Sequence, residues 1–376
     1  MSEHEPLSTR GIANDLGPLR EHRPAGECGP RLLFVPVSGR FGMGEYARAS
    51  AIALEVQARR PDASVHFLLS RDAPYAASSP FATTLLEASP TFHTAAVVEF
   101  MKGWRPDVVI FDNAGRTAQL SAAKRGGARV IFVSARRRQR NRAFRLRWMR
   151  LIDEHWIAYP RFIAGRLRRW ERLKLAVLKR PTVRFLDVIL ARAGSAHDSV
   201  RTRIGIALNG YVLVVPGGGT GHPGARDATG QFLDAARGLA AAGVETVFVG
   251  VAPSAGGGSR LRLLGSLPQA ELAAWMADAR LVLTNGGSTL LQAIACGRAC
   301  IAVPIAGDQP ERIRRCVSAG VAVHSPLNAD AMLRAAAGLL KDDAGRSALA
   351  ARAQALDLAD GVDVAVRAML AILAPR

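Results

Sequence analysis

The strongest constraint on this chain is an alternation that occurs twice. Short apolar runs closed by turn residues alternate with stretches of ten or more residues whose apolar positions recur at helical spacing. The first set opens with a strand at 31–36 (RLLFVP), then a helix over 45–59, and continues with strands at 64–70, 106–112, 128–134 and 153–159 and helices near 95–103 and 116–126. The second set opens at 211–215 and adds strands at 246–251, 281–284 and 300–304, helices over 227–241, 269–278, 288–296 and 309–319, and an Ala- and Leu-rich helical tail over 329–373. Two strands joined by a helix of that length can pair only in parallel, so each set predicts an α/β, doubly wound parallel sheet. Polar, glycine-containing stretches divide the chain into a flexible leader (1–30), a first domain (31–192), a linker (193–209) and a second domain (210–376). Two open sheets of similar size place a ligand cleft between their carboxyl ends.

Composition removes several alternatives. The 376 residues are 49% hydrophobic and 22% charged, which is globular usage with room for two cores. No apolar run approaches the ~18 residues of a membrane span. The first thirty residues lack a basic start followed by an apolar stretch, which predicts a cytoplasmic protein. Cys28, Cys296, Cys300 and Cys316 show no C-x-x-C spacing, so neither a disulfide framework nor a structural zinc site is predicted. No Ser/His/Asp triad, metal-spaced His/Cys cluster or Walker-type loop occurs, and no metal or cofactor is expected.

The segment richest in chemistry is 279–323. A strand runs into Asn285-Gly286-Gly287-Ser288-Thr289 and a helix begins at once. Consecutive glycines admit a ligand close to the backbone, and the helix start offers unpaired N–H groups and partial positive charge suited to a diphosphate. Gln292 lies one turn further on, and Gly307-Asp308-Gln309 opens the next helix. A second glycine cluster, Gly217-Gly218-Gly219-Thr220-Gly221-His222, follows the first strand of the second domain. In it Thr220 and His222 can reach a phosphate. The first domain carries a glycine loop after its own first strand, with Gly39, Gly42 and Gly44, then Glu45 and Arg48. Glu45 reads either as a general base on an acceptor hydroxyl or as an acidic residue favoured at a helix start. Asp112, ending the strand Val108–Phe111, reads either as an alternative base or as a turn cap.

The run Gly286, Gly287, Ser288, Thr289, with Gly297, Pro304, Asp308 and Gln309 after it, resembles the donor-binding half of GT-B glycosyltransferases. The pattern is similar to the lipid-linked N-acetylglucosaminyltransferase of peptidoglycan synthesis and the UDP-sugar hydrolase of pseudaminic acid synthesis. The resemblance implies a GT-B fold of two Rossmann-like domains and an inverting transfer from a nucleotide-diphosphate sugar, the nucleotide sugar being a co-substrate. It implies donor contacts at Gly218, Gly219, Thr220, His222, Gly286, Gly287, Ser288, Thr289, Gln292, Asp308 and Gln309, with Gly42, Gly44 and Arg48 in the acceptor-side loop. This chain departs from the pattern at Gln292, where those families usually carry the glutamate that holds the ribose. It departs again at Glu45, which stands where they carry a histidine.

The net charge of +19 is concentrated. Between 134 and 184 there are 17 basic residues and three acidic ones, with eight arginines in the fifteen residues 136–150. Arg138, Arg142, Arg145 and Trp148, then Arg168 and Trp170, have the basic and aromatic pattern of helices lying on an anionic membrane surface. Nucleic acid is the competing partner, but no recognition-helix, zinc-finger or RNA-binding signature accompanies the arginines. The combined expectation is a metal-independent glycosyltransferase at the inner face of the cytoplasmic membrane, acting on a lipid-linked or envelope-glycan acceptor. A nucleotide-sugar hydrolase or epimerase, and a non-catalytic polyanion-binding relative, are the alternatives.

Overall fold

The computed structural model describes residues 29–40, 42–190, 205–217, 227–252 and 258–374. In the first domain, β1 (Arg31–Pro36), α1 (Gly44–Arg59), β2 (Ser64–Ser70), β3 (Ala82–Leu86), α2 (Thr94–Trp104), β4 (Val108–Asp112), α3 (Thr117–Arg125) and β5 (Arg129–Ser134) follow in order. The basic insert then supplies α4 (Arg137–Ala143), α5 (Leu146–Leu151), β6 (Glu154–Ile157), α6 (Arg161–Ala164), α7 (Arg169–Leu178) and β7 (Thr182–Phe185). The seven strands form one parallel sheet in the order β3-β2-β1-β4-β5-β6-β7.

The second domain repeats the scheme. Its strands β8 (Val212–Val215), β9 (Thr246–Val249), β10 (Leu261–Leu264), β11 (Leu281–Asn285), β12 (Cys300–Val303) and β13 (Val323–His324) form a parallel sheet ordered β10-β9-β8-β11-β12-β13. Its helices are α8 (Ala228–Ala241), α9 (Gln269–Asp278), α10 (Ser288–Ala295), α11 (Gln309–Ser318), α12 (Ala329–Lys341) and α13 (Asp343–Ala355), and α14 (Gly361–Leu373) ends the chain.

Central strands are buried on both faces, as crossover helices on each side require, and so they read as continuous apolar runs. Along β1 the side chains alternate. Leu32 and Phe34 join α1 in one core layer, while Leu33 and Val35 join α2 and α3 in the other. The register pairs Pro36 with Asp112 and Val215 with Thr284, so in each domain the two central strands end level, at one edge of the sheet.

Three differences from the sequence reading have physical causes. All four edge strands, β3, β7, β10 and β13, escape it, because they are short and only partly buried and carry no continuous apolar run. The basic helix expected over 161–180 is broken between α6 and α7, where Gly165 adopts φ +77. The domain boundary at the end of the chain also shifts. Helix α14 crosses back and packs Val362, Val366 and Met369 into the first domain beside α1, with Arg59 bonded to Asp363. Most of the leader, the last two residues of the predicted first domain (191–192) and residues 193–204 of the linker lie outside the described residues.

Candidate active site

In both sheets the strand order reverses between two central strands, β1 and β4 in the first and β8 and β11 in the second. Loops leaving such a switch point diverge and open a crevice. Here the two crevices face each other. The start of α1 meets the start of α10 across a pocket lined by Gly44, Arg48, Tyr159, Ile189, Ser288 and Gln292. The pocket is small, with about 30 Å³ of open room.

On the first-domain wall, Glu45 sits half-buried in the first turn of α1. Asn113 Nδ2 donates to its Oε1 at 2.8 Å, while Asn113 Oδ1 accepts from the Ala135 amide at 2.8 Å. Asn113 holds φ +51, a left-handed conformation that asparagine tolerates better than most residues. One side chain thus ties the loops after β4 and β5 to the candidate base. Arg136, the residue before α4, brings Nη2 to 3.9 Å from Glu45 Oε1. Gly42 and Gly44 lie in the approach to α1.

Asp112 is corrected here. It is 2% exposed and accepts two hydrogen bonds from Arg48, Nε at 2.8 Å and Nη2 at 2.7 Å. Burial pushes its carboxyl up to about 6, against the pull of the guanidinium. Burial also opposes charge on Arg48, but Asp112 and Glu45 together hold it above its ordinary value. Both residues are consumed in a buried ion pair that fixes α1 to the end of β4. Asp112 is therefore unavailable as an open base, and Arg48 as a free loop cation.

On the second-domain wall, Asn285 organises the loop before α10. Its Nδ2 donates to the Pro216 carbonyl at 2.7 Å, and its Oδ1 accepts from the Gly287 amide at 2.6 Å. Gly286 is buried where a Cβ would come within 2.6 Å of Ile313 and 2.9 Å of Gln309. Gln309 is also corrected. It is 4% exposed and its Oε1 accepts from the Gly286 and Ile305 amides, so it braces two loops instead of presenting that oxygen to a ligand. Ser288 is exposed and Thr289 half-buried in the first turn of α10. Gln292 reaches the cleft, but its Nε2 donates to the Ile189 carbonyl at 2.9 Å. Asp308 is half-exposed and bonds Arg312 at 2.8 Å. Gly218, Gly219, Thr220 and His222 lie outside the described residues.

Two residues of this site carried no sequence signal. Arg312 is buried and spans the domains, donating to the Gly286 carbonyl at 2.5 Å and to the Tyr159 hydroxyl at 3.1 Å, with its guanidinium 4.7 Å over the Tyr159 ring. An arginine inside an amphipathic helix and a tyrosine after a strand look ordinary until the fold juxtaposes them. Asn113 was detectable as a turn-forming residue at a central strand end, though nothing in the sequence linked it to Glu45.

The basic insert divides into an inner and an outer part. Trp148 is 4% exposed, packed edge-on against Phe132, with its indole N–H donating to Thr117 at 3.1 Å. It belongs to the core and is removed from the candidate membrane surface. Arg142 is half-buried over the Trp148 ring, and Arg140 is buried against Glu171. Arg138 and Arg145 are exposed, and Arg168 lies half-buried with its guanidinium 5.9 Å from the ring centre of Trp170. The apolar side chains facing outward are Leu146 on α5 and Trp170, Leu173 and Val177 on α7, the last three at a spacing that forms one helix face.

No family model and no curated protein matches the sequence. Solved structures do. The spinosyn forosaminyltransferase superposes over 92% of this chain and all of its own, with a TM-score of 0.64 at 12% identity. A UDP-glucosyltransferase from Polygonum tinctorium covers 93% of this chain and 99% of its own length, with a TM-score of 0.63 at 13% identity. The chain has the GT-B fold. A putative UDP-N-acetylglucosamine 2-epimerase from Listeria monocytogenes shares it over 91% of this chain and 95% of its own, with a TM-score of 0.56 at 15% identity. Among the described residues no helix is long and apolar enough to cross a membrane, and no three His, Cys, Asp or Glu side chains are grouped to hold a metal ion.

Proposed function

We propose that this GT-B chain is a glycosyltransferase that moves a sugar from a nucleotide-diphosphate donor, UDP-linked, to a lipid-linked or envelope-glycan acceptor at an anionic membrane surface. The observation that carries the reading is the cleft itself, in which Glu45, oriented by Asn113, stands in the first turn of α1 beside a pocket that the start of α1 shares with the start of α10. The acceptor hydroxyl attacks the anomeric carbon as the bond to the diphosphate breaks. Glu45 takes the hydroxyl proton. The leaving diphosphate keeps the bonding pair, and its charge falls on the first-turn N–H groups of α10, an electrostatic contribution of the kind that usually dominates such steps. Gly286, Gly287, Ser288 and Thr289 form that end of the site, with Gln292 and Asp308 at its rim. Metal independence belongs to the proposal.

The membrane part is supported by the outer face of the insert, where Leu146, Trp170, Leu173 and Val177 are exposed among arginines. Burial and the neighbouring Arg138, Arg116 and Arg145 hold Arg142 below its ordinary value, a sign of mutual repulsion that an anionic surface would relieve. Each basic residue at such a surface contributes ~1 kcal/mol.

Calorimetric titration with UDP, GDP and dTDP tests the donor site. Micromolar binding of one nucleotide, lost in Gly287→Asp, is the expected result, because a Cβ there comes within 2.6 Å of Asn285 Oδ1 and a carboxylate repels the diphosphate. Silence with all three nucleotides refutes the assignment.

A further inference from the structure

The cations of the cleft differ in how firmly they are held. Arg48 is locked to Asp112 by two hydrogen bonds. Arg312 is committed to Gly286, Asp308 and Tyr159. Among the described residues Arg136 has no partner so close. Its guanidinium is 63% exposed, and its 3.9 Å approach to Glu45 is too long for a direct hydrogen bond. Glu45 already has a better partner in Asn113 at 2.8 Å.

The backbone beneath Arg136 is fixed nonetheless. The amide of Ala135 is pinned to Asn113, and the carbonyl of Arg136 accepts from Arg140 at 3.0 Å, so the side chain is anchored beside Glu45. It also acts on both walls. Asp308, across the cleft, is held below its ordinary value against burial by Arg312 and, in smaller part, by Arg136. An exposed guanidinium on a rigid base, 3.9 Å from the Glu45 carboxylate and too far for a direct hydrogen bond, is poised to exchange that carboxylate for a stronger anion. Arginine suits phosphate in particular, since its planar fork can bind two phosphate oxygens at once.

We propose that Arg136 is the first domain's phosphate-binding residue in this cleft, leaving Glu45 for a diphosphate group when one enters. The inference rests on the proposed function only in placing a phosphorylated ligand between the domains. The same chemistry has two possible sources, the nucleotide end of a donor and the diphosphate of a prenyl-linked acceptor.

The test is titration of the full chain, its Arg136→Gln, Arg136→Lys and Glu45→Gln variants and the Arg136→Gln/Glu45→Gln double variant, with inorganic pyrophosphate, UDP and geranyl diphosphate. Arg136→Gln is expected to melt with the wild type and to weaken at least one of the three ligands about tenfold or more, with Arg136→Lys intermediate. Glu45→Gln frees Arg136 and is expected to tighten that ligand several-fold, a gain that shrinks when Arg136 is already glutamine. This non-additivity separates a direct exchange from a general change of charge. UDP alone affected identifies the donor as the source, and geranyl diphosphate alone affected identifies the acceptor. Binding of UDP unchanged within twofold in Arg136→Gln, with the other two ligands also unchanged, overturns this inference and leaves the donor-site reading standing. Binding of pyrophosphate or geranyl diphosphate through Arg136 without UDP does the reverse. Absence of binding by all three in the wild type overturns both.

Discussion

Removing Arg48 separates a buried ion pair from an ordinary surface contact. Its partner Asp112 is 2% exposed and takes both of its strong hydrogen bonds from this guanidinium, at 2.8 and 2.7 Å. Burial raises the Asp112 carboxyl to about 6 even with the guanidinium in place. In Arg48→Met the opposing attraction is gone, and the carboxyl moves toward the ~8 seen for fully buried acids. An acid that titrates higher folded than unfolded binds more protons when folded, so stability falls with rising pH until the folded value is passed. In the wild type that fall ends near pH 6. In Arg48→Met it continues to about pH 8 at ~1.4 kcal/mol per pH unit, adding about 2–3 kcal/mol between the two. With the lost hydrogen bonds the deficit at pH 8 reaches about 3–5 kcal/mol, the usual cost of stranding one member of a buried pair. Urea unfolding at pH 6 and pH 8 measures both quantities. The Arg48→Met/Asp112→Leu double variant, which removes both charges, is expected to recover most of the loss. A deficit under ~1 kcal/mol, equal at the two pH values, or a double variant no better than the single one, would refute the buried-pair argument.

The two tryptophans of the insert give opposite outcomes: Trp148→Ala should cost about 3–5 kcal/mol in urea unfolding, whereas Trp170→Glu should leave stability within ~0.5 kcal/mol and reduce binding to vesicles of anionic phospholipid. Glu45→Gln should lower kcat by about 10²–10⁴-fold while UDP still binds, and Asn113→Ala should lower kcat by a smaller factor, both read in a sugar-transfer assay once a donor is found. Gly286→Ala should destabilise by about 1–3 kcal/mol through overpacking against Ile313 and Gln309.

How much of this was legible follows from where the residues lie. The central strands declared themselves because crossover helices cover both faces and demand unbroken apolar runs, as in Val108–Phe111 and Leu281–Leu283. Edge strands such as Ala82–Leu86 lack that demand and stayed hidden. The Gly286-Gly287 loop was legible because its glycines answer a local need for close approach. The roles of Asp112 and Gln309 were not, since a carboxylate or an amide at a strand end has the same local appearance whether it faces a ligand or a buried partner. Trp148 and Trp170 occupy similar basic surroundings in the sequence. Each packs edge-on against a phenylalanine, Phe132 or Phe144, and only the fold shows that Trp148 is buried while Trp170 keeps 40% of its surface exposed.

Around the small pocket lined by Gly44, Arg48, Tyr159, Ile189, Ser288 and Gln292 the two domains are in direct contact. The domains meet through an apolar patch, in which Tyr159, Phe162, Ile163, Val188 and Leu190 pack against the second core, and through hydrogen bonds from Gln292 to the Ile189 carbonyl, from Arg312 to Tyr159 and from Arg315 to the Ile163 carbonyl. Each hydrogen bond contributes on the order of 1 kcal/mol, and water can replace it. The two chain crossings between domains run side by side, with Val188 bridged to Asp360 and the Gly361 amide donating to the Val188 carbonyl at 2.8 Å. Each crossing contains an aspartate in the left-handed region, Asp187 at φ +47 and Asp357 at φ +44. Arg312 holds the Gly286 carbonyl of its own domain and the Tyr159 hydroxyl of the other, so one guanidinium touches both walls of the site.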